Sequence, residues 1–373
     1  MTTSTSQAFG LDRKISSLNH LHLERFDLRI GEPKISPFPT EVFEELSHKK
    51  NINCYYPSHG DLELREMIID KFYEERLIDN IAITHGTMGA LDFIFRANLN
   101  SDSEILLPDP GFPPYTKLAE FSEAKVKKYS LNLSIDAESF INWDQVESLI
   151  TKRPTLLLLN SPHNPTGKIL TDMDLVRFEE MLFKYPQLSF VMDEVYRSLI
   201  YGQKTHYNFS SFINRGYIVG SFSKMYPLQG ARIGWVLTST DNMKKLSPYF
   251  NNAAGAMSSF GQEIVKSILK KKLSFKKNYY EAFTIAKEIL DLYRVDYVNP
   301  DGAFFLFIKY EIPDLAVVDE LAALGVEVVP GSAFGSNGAN YIRASFAQQA
   351  DILQKAFTII GKHWKQTHPS TLQ

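Results

Sequence analysis

The chain has 373 residues, 44% of them hydrophobic and 22% charged, which leaves room for one large or two ordinary domains around a sizeable core. A net charge of −3 gives no general attraction to nucleic acid or to an anionic membrane, and the single cysteine, Cys54, excludes an intrachain disulfide. No apolar run approaches the roughly 20 residues of a membrane helix, and the opening "MTTSTSQAFGLDRK" lacks the apolar stretch of a signal peptide, so a soluble, cytoplasmic protein is expected.

Along the chain, "FDLRIGEP" comes first, an early segment expected to pack with the carboxyl-terminal part. After "SHGD", Leu64, Ile68 and Phe72 recur every four residues, predicting a helix capped by Asp61. "ITHGTMGALDFIF" reads as a short strand, a turn at Gly86 and a helix carrying Ala90, Leu91 and Phe95. "EILLPDP", "TLLLLNSP", "LSFVMDEVY", "GYIVGSFS" and "ARIGWVL" are short, apolar and bounded by turn residues, as buried strands are. Between them a helix with Leu175, Phe178 and Leu182 on one face follows Thr171 as its cap. Strands alternating with helices predict an α/β domain with a mostly parallel sheet. The five lysines between Lys270 and Lys277 read as a solvated helix face. From "GAFFLFI" the pattern becomes α+β: a strand, a short helix in "VVDELAALG", a strand in "VEVVPG", another in "NYIRASFA", and a last helix from about Ala350. "KQTHPSTLQ" reads as a frayed tail. The expected division is a large domain over 45–275 and a smaller one over 276–373 that residues 1–44 complete.

In open parallel sheets ligands sit at the carboxyl ends of strands. Here those positions hold Asn160 and Asn164, then Asp193 and Tyr196, then Ser221, Ser223 and Lys224, with Arg232 opening the next strand. Singly, all but Lys224 have ordinary readings: a turn at Asn164, a helix cap at Asp193, an ion pair at Arg232. Together they suit one chemistry. A lysine stripped of water beside another cation is a better nucleophile and can form a Schiff base with an aldehyde. Pyridoxal 5'-phosphate supplies that aldehyde, and its ring needs a carboxylate at the pyridine nitrogen. Asp193 suits that task, and Asn164 and Tyr196 suit the ring oxygen. The helix start at Gly86 offers backbone N–H groups to the phosphate, which Ser221, Ser223 and the Arg232 guanidinium would complete.

"NSPHNPTGK", "DEVYRSLIY", "SFSKMYPLQGARIGW" and "VVPGSAFG…NYIRASFA" resemble the signature segments of the class I/II aminotransferases, the aspartate-aminotransferase-like group of fold type I enzymes. The match runs in order from "GEP" near residue 31 to "IRASFA" near 347. The resemblance implies a seven-stranded, mostly parallel sheet between helices, with a smaller α+β domain. It implies amino-group transfer between an amino acid and a 2-oxo acid. Lys224 would carry the cofactor, Asp193 would pair with the ring nitrogen, and Asn164 and Tyr196 would bond the ring hydroxylate. Gly86, Thr87, Met88, Ser221, Ser223 and Arg232 would surround the phosphate, and Phe112 would stack on the ring. Tyr55 matches a tyrosine that reaches a neighbouring subunit's phosphate, which implies a homodimer with shared sites. Arg343 matches the arginine for the substrate α-carboxylate, with Gly31 adding a backbone contact. Two departures stand out: Met88 brings no side-chain donor, and "NNAAGAMSSFGQ" holds no arginine for a second carboxylate. Lyase, decarboxylase or ring-forming chemistry on the same scaffold is the alternative. No G-x-G-x-x-G follows a strand, which speaks against a nucleotide-dependent dehydrogenase, and no metal, nucleic acid or membrane partner is expected.

Overall fold

The computed structural model describes residues 24–29, 31–34, 40–49, 52–73, 77–134 and 137–368. Strand β1 (Phe26–Asp27) is followed by seven strands that form one sheet: β2 (Ile81–His85), β3 (Glu104–Asp109), β4 (Lys125–Ser130), β5 (Thr155–Asn160), β6 (Leu188–Asp193), β7 (Gly216–Ser221) and β8 (Ile233–Thr238). Their order across the sheet is β2-β8-β7-β6-β5-β3-β4. β8 runs antiparallel to both its neighbours, and the other pairings are parallel. β3, β5, β7 and β8 are buried at every position, as strands covered on both faces must be.

The helices follow from caps and apolar faces. Helix α1 (Leu62–Phe72) begins where Asp61 accepts the Leu64 N–H, and it buries Leu64 and Ile68. Helix α2 (Gly86–Asn98) leaves β2 directly and packs on β7 and β8. Helix α3 (Pro113–Glu120) has proline at its first positions, where a missing N–H costs nothing. Helix α4 (Asp172–Lys184) starts in a capping box between Thr171 and Asp174, worth about 1 kcal/mol, and buries Phe178, Met181 and Leu182. The expected caps and faces of these helices are all present. The single turn α5 (Phe222–Met225) carries Lys224. Helix α6 (Ser259–Lys270) and helix α7 (Lys276–Leu292) carry three of the clustered lysines, Lys271 and Lys272 lie between them, and all five are exposed. Lys270 meets Glu63 at 2.7 Å.

A second sheet has the order β12-β13-β10-β9, from β9 (Tyr297–Val298), β10 (Phe305–Lys309), β12 (Val329–Pro330) and β13 (Tyr341–Ser345). Helix α8 (Asp314–Ala323) and helix α9 (Ala350–Thr367) accompany it. Two expectations need correction here. "VEVVPG" is not one strand: β11 (Val326–Glu327) pairs in parallel with β1, while β12 pairs with β13. Val326, Val328 and Val329 are all buried, so the run lacks the one-sided alternation that would keep it on a single ladder. The tail is also better ordered than its composition suggests. Lys365 to Thr367 finish α9, and His368 is buried with its ring stacked 4.0 Å from that of Trp364. Residues 369–373 lie outside the described residues. Among the described residues, no helix is long and apolar enough to cross a membrane.

Candidate active site

Three parallel strands end on polar residues at one edge of the large sheet: β5 on Asn160, β6 on Asp193 and β7 on Ser221. Just beyond these ends lies a cavity. Of the residues singled out in the sequence, Gly86, Thr87, Met88, Phe112, Asn164, Asp193, Tyr196, Ser221, Ser223, Lys224 and Arg232 all line it.

Lys224 gets there because Ser221 caps α5 through the Ser223 N–H, turning the chain sharply out of β7. Its Nζ donates to the Gly31 carbonyl. Burial, then the nearby Arg343 and Arg232, push the ammonium down to about 8, with Glu32 pulling the other way. This is the desolvated lysine among cations that the sequence implied.

Asp193 is 3% exposed. Its Oδ2 accepts the Tyr115 hydroxyl at 2.6 Å and its Oδ1 the Val195 N–H at 3.0 Å. Burial raises its carboxyl to about 6, against those two hydrogen bonds, so it is mainly ionised at neutral pH. A buried anion with two donors fixing its direction is ready for a cationic ring nitrogen.

Asn164 accepts the Arg343 Nη1–H at 3.0 Å through its side-chain oxygen, and its backbone N–H donates to Asn160 Oδ1 at 2.9 Å. Asn160 in turn donates to the Asp193 carbonyl at 3.0 Å. Arg343 is 2% exposed, with Phe305 at 4.3 Å and Phe334 at 4.9 Å from its guanidinium, and its Nη2 donates to the Arg29 carbonyl at 2.5 Å. Burial holds it down to about 10. Tyr196 packs edge-on against Phe304 and Phe305, and burial raises its hydroxyl pKa.

At the far end of α5 the chain reaches Arg232 through a left-handed turn at φ 56°. Its guanidinium lies over Gly86, where φ is +63° and an added Cβ would meet Arg232 Nη2 at 3.0 Å. Glycine there keeps the helix start open. Ser221 Oγ donates to the Ile233 carbonyl at 3.0 Å and pairs with the Ser223 hydroxyl at 2.9 Å. The Thr87 hydroxyl is buried with no hydrogen-bond partner among the described residues. An orphaned hydroxyl, an open helix start and a guanidinium facing one another are what a phosphate group would satisfy.

Three of the chosen residues stand apart from the cavity lining, and Arg343 meets it through Asn164. Tyr55 does not line the cavity and is 96% exposed. Gly31 meets the site through its carbonyl, on Lys224. Tyr115 was missed. It sits one helical turn after Phe112, whose ring it meets edge-on at 5.4 Å, and that spacing behind "PGFPP" was the available signal.

A mostly parallel sheet with a buried lysine, an opposing carboxylate and a guarded arginine at its carboxyl edge defines an enzyme of amino-group chemistry. The chain belongs to the class I and II aminotransferase family, whose model matches residues 25–358. It is 32% identical over 359 residues to a probable aspartate aminotransferase of Methanocaldococcus jannaschii, covering 90% of this chain and 92% of that one. It is 27% identical to aromatic-amino-acid aminotransferase 2 of Thermococcus litoralis, over 91% of each chain. The crystal structure of aspartate aminotransferase from Thermotoga maritima superposes with a TM-score of 0.87 at 25% identity, over 97% of both chains. The protein is therefore an enzyme that transfers amino groups, of fold type I, in a family that uses pyridoxal phosphate.

Proposed function

We propose that the chain moves an amino group between an amino acid and a 2-oxo acid with pyridoxal 5'-phosphate held at Lys224. The observation that carries this is Lys224 itself: a buried amine, pushed down to about 8, among Asp193, Asn164, Tyr196 and Arg232. Gly86, Thr87, Ser221, Ser223 and Arg232 would hold the phosphate, Met88 adding only backbone. Phe112 would cover the ring, Asp193 its nitrogen, and Asn164 and Tyr196 its oxygen. Bound there, the cofactor supplies an aldehyde for the amino group and a ring that spreads the electron pair left at the α-carbon.

The protein's own part is to position groups and move protons. Arg343 takes the substrate α-carboxylate in a planar fork, with Gly31 nearby. Lys224, neutral at little cost, would take the α-proton on Nζ and give it up again to complete the transfer. Asp193 stays ionised and, tied by Tyr115, does not swing. The aromatic rings of Phe112, Tyr196 and Phe305 keep bulk water from that proton. The same reading divides the chain into a cofactor-binding body over 45–275 and a smaller unit of 276–373 with 1–44, and the β1–β11 pairing supports it. Tyr55, bare on a single chain, supports a homodimer in which it reaches the partner's phosphate. The cytoplasm suits such an enzyme.

Single-turnover mixing of the yellow holoenzyme with individual amino acids tests this. Conversion to the aminated cofactor without release of carbon dioxide or ammonia is expected, and release of either would favour lyase chemistry. Lys224→Ala should lower turnover by about 10⁴-fold, at the upper end of what a lost general base costs. Full activity in that variant would refute the assignment.

A further inference from the structure

Asp109 ends β3 outside the cavity lining, and its side chain is buried. Its carboxylate accepts three hydrogen bonds from a turn more than two hundred residues later. Oδ2 takes the Ser336 N–H at 3.2 Å and Ser336 Oγ at 2.8 Å, and Oδ1 takes the Asn337 N–H at 3.0 Å. The Asn337 side-chain amide donates back to the Asp109 carbonyl at 3.3 Å, and the Gly111 N–H donates to the Phe334 carbonyl at 2.8 Å. Gly335 has φ +138°, and a Cβ there would fall 2.2 Å from Asp109 Oδ1. Carboxylate and turn are in contact with no space for a side chain between them.

The clasp joins two parts of the site. On the β3 side, Gly111 leads into Phe112, which meets Tyr115, which holds Asp193. On the turn side, the Phe334 ring lies 4.9 Å from the Arg343 guanidinium and edge-on to Phe307, the residue paired with Arg343 across β10 and β13. The Gly111 N–H holds the Phe334 carbonyl just beyond the end of β3, and Asp109 secures the residues that follow it.

We propose that Asp109 is a positioning residue for the carboxylate grip. By fastening residues 334–337 to the end of β3, it fixes Phe334 against Arg343 and so holds the guanidinium aimed into the site. This rests on the assignment of Arg343 to the substrate α-carboxylate. It makes a claim that a merely structural role does not: loss of the clasp weakens binding of ligands that carry an α-carboxylate and spares amines that lack one.

The test titrates the cofactor absorbance of the holoenzyme with L-alanine and with ethylamine, which differ by that carboxylate. Asp109→Ala should lose at least tenfold of its affinity for L-alanine and less than twofold for ethylamine. In the cofactor-free protein, amide hydrogen exchange at Ser336 and Asn337 should quicken at least tenfold. A folded Asp109→Ala protein that keeps the preference for L-alanine overturns the proposal, as does an equal loss for both ligands. If Asp109→Ala does not fold, Ser336→Ala removes the 2.8 Å bond alone. It should show the same selective loss at about threefold, and its absence also overturns the proposal. Arg343→Ala separates the two levels. If it abolishes the preference while Asp109→Ala does not, the clasp fails and the Arg343 assignment stands. If it leaves the preference intact, the Arg343 assignment itself fails.

Discussion

Arg232, on the loop into β8, and Arg343, on β13, both act on Lys224, but their surroundings differ sharply. Arg232 is exposed and donates to the Gln229 carbonyl at 2.9 Å on its own loop. Arg343 is sealed between two phenylalanine rings and donates to Asn164 and to the Arg29 carbonyl. The ligand each would take accounts for this. A phosphate brings close to two charges and finds a helix start and several hydroxyls beside Arg232, so that arginine can stay hydrated. A carboxylate brings one charge. To hold it firmly, Arg343 must be stripped of water and aimed beforehand, and the burial that does so strains both its own charge and that of Lys224.

The strain on Lys224 offers the largest test of that contrast. Below pH 8 the amine is charged in both the folded and the unfolded chain, and the folded chain bears the cost of burying it beside two cations. Between about 8 and 10.5 the folded chain has released the proton while the unfolded chain keeps it, so stability rises with pH across that window. Cofactor-free Lys224→Met should therefore be more stable than the unaltered protein by about 3 kcal/mol at pH 7, with the advantage fading by pH 10.5. Urea melts at the two pH values measure it. An advantage that does not change with pH would mean the site leaves the lysine unstrained.

The arginines themselves come next. Arg343→Lys loses the planar fork in a buried site, and KM for the amino donor should rise about 10- to 100-fold. Arg232→Lys, in a hydrated site with other donors, should weaken cofactor binding by less than about tenfold. Steady-state kinetics and absorbance titration of the cofactor-free protein give the two numbers, and a reversed ranking would break the comparison. The smallest effect belongs to Thr87→Val. The hydroxyl has no partner among the described residues, so thermal stability of the cofactor-free form should not fall, while cofactor affinity drops a few-fold, about 0.5–1.5 kcal/mol. Lost stability without lost affinity would show that the hydroxyl serves the fold instead.

Much of this site could be read from the sequence because its groups sit in short segments at strand ends. Lys224 stands out by residue type beside an apolar run, Asp193, Asn164 and Arg232 do so only as a set at successive strand ends, and the large sheet's strands do so by composition. What escaped depends on contacts between distant segments. Tyr115 is an ordinary helix aromatic until Asp193, 78 residues on, accepts its hydroxyl. Asp109 is a turn residue until Ser336 and Asn337 arrive. The split of "VEVVPG" between β11 and β12 depends on two different partner strands, and His368, in the segment that reads as a tail, is fixed by a ring one turn back on the last helix. Local pattern carries no record of such partners.

The pairing of Phe26 with Val326 bears on how the enzyme is made. The seven-stranded sheet comes from one continuous stretch, residues 81–238, and a nascent polypeptide leaving the ribosome can assemble it early. The first strand must wait some three hundred residues for its partner, and Gly31, whose carbonyl accepts from the Lys224 amine, waits with it. A half-synthesised product can thus hold a formed scaffold while its chemistry stays incomplete, and competence arrives only with the last quarter of translation.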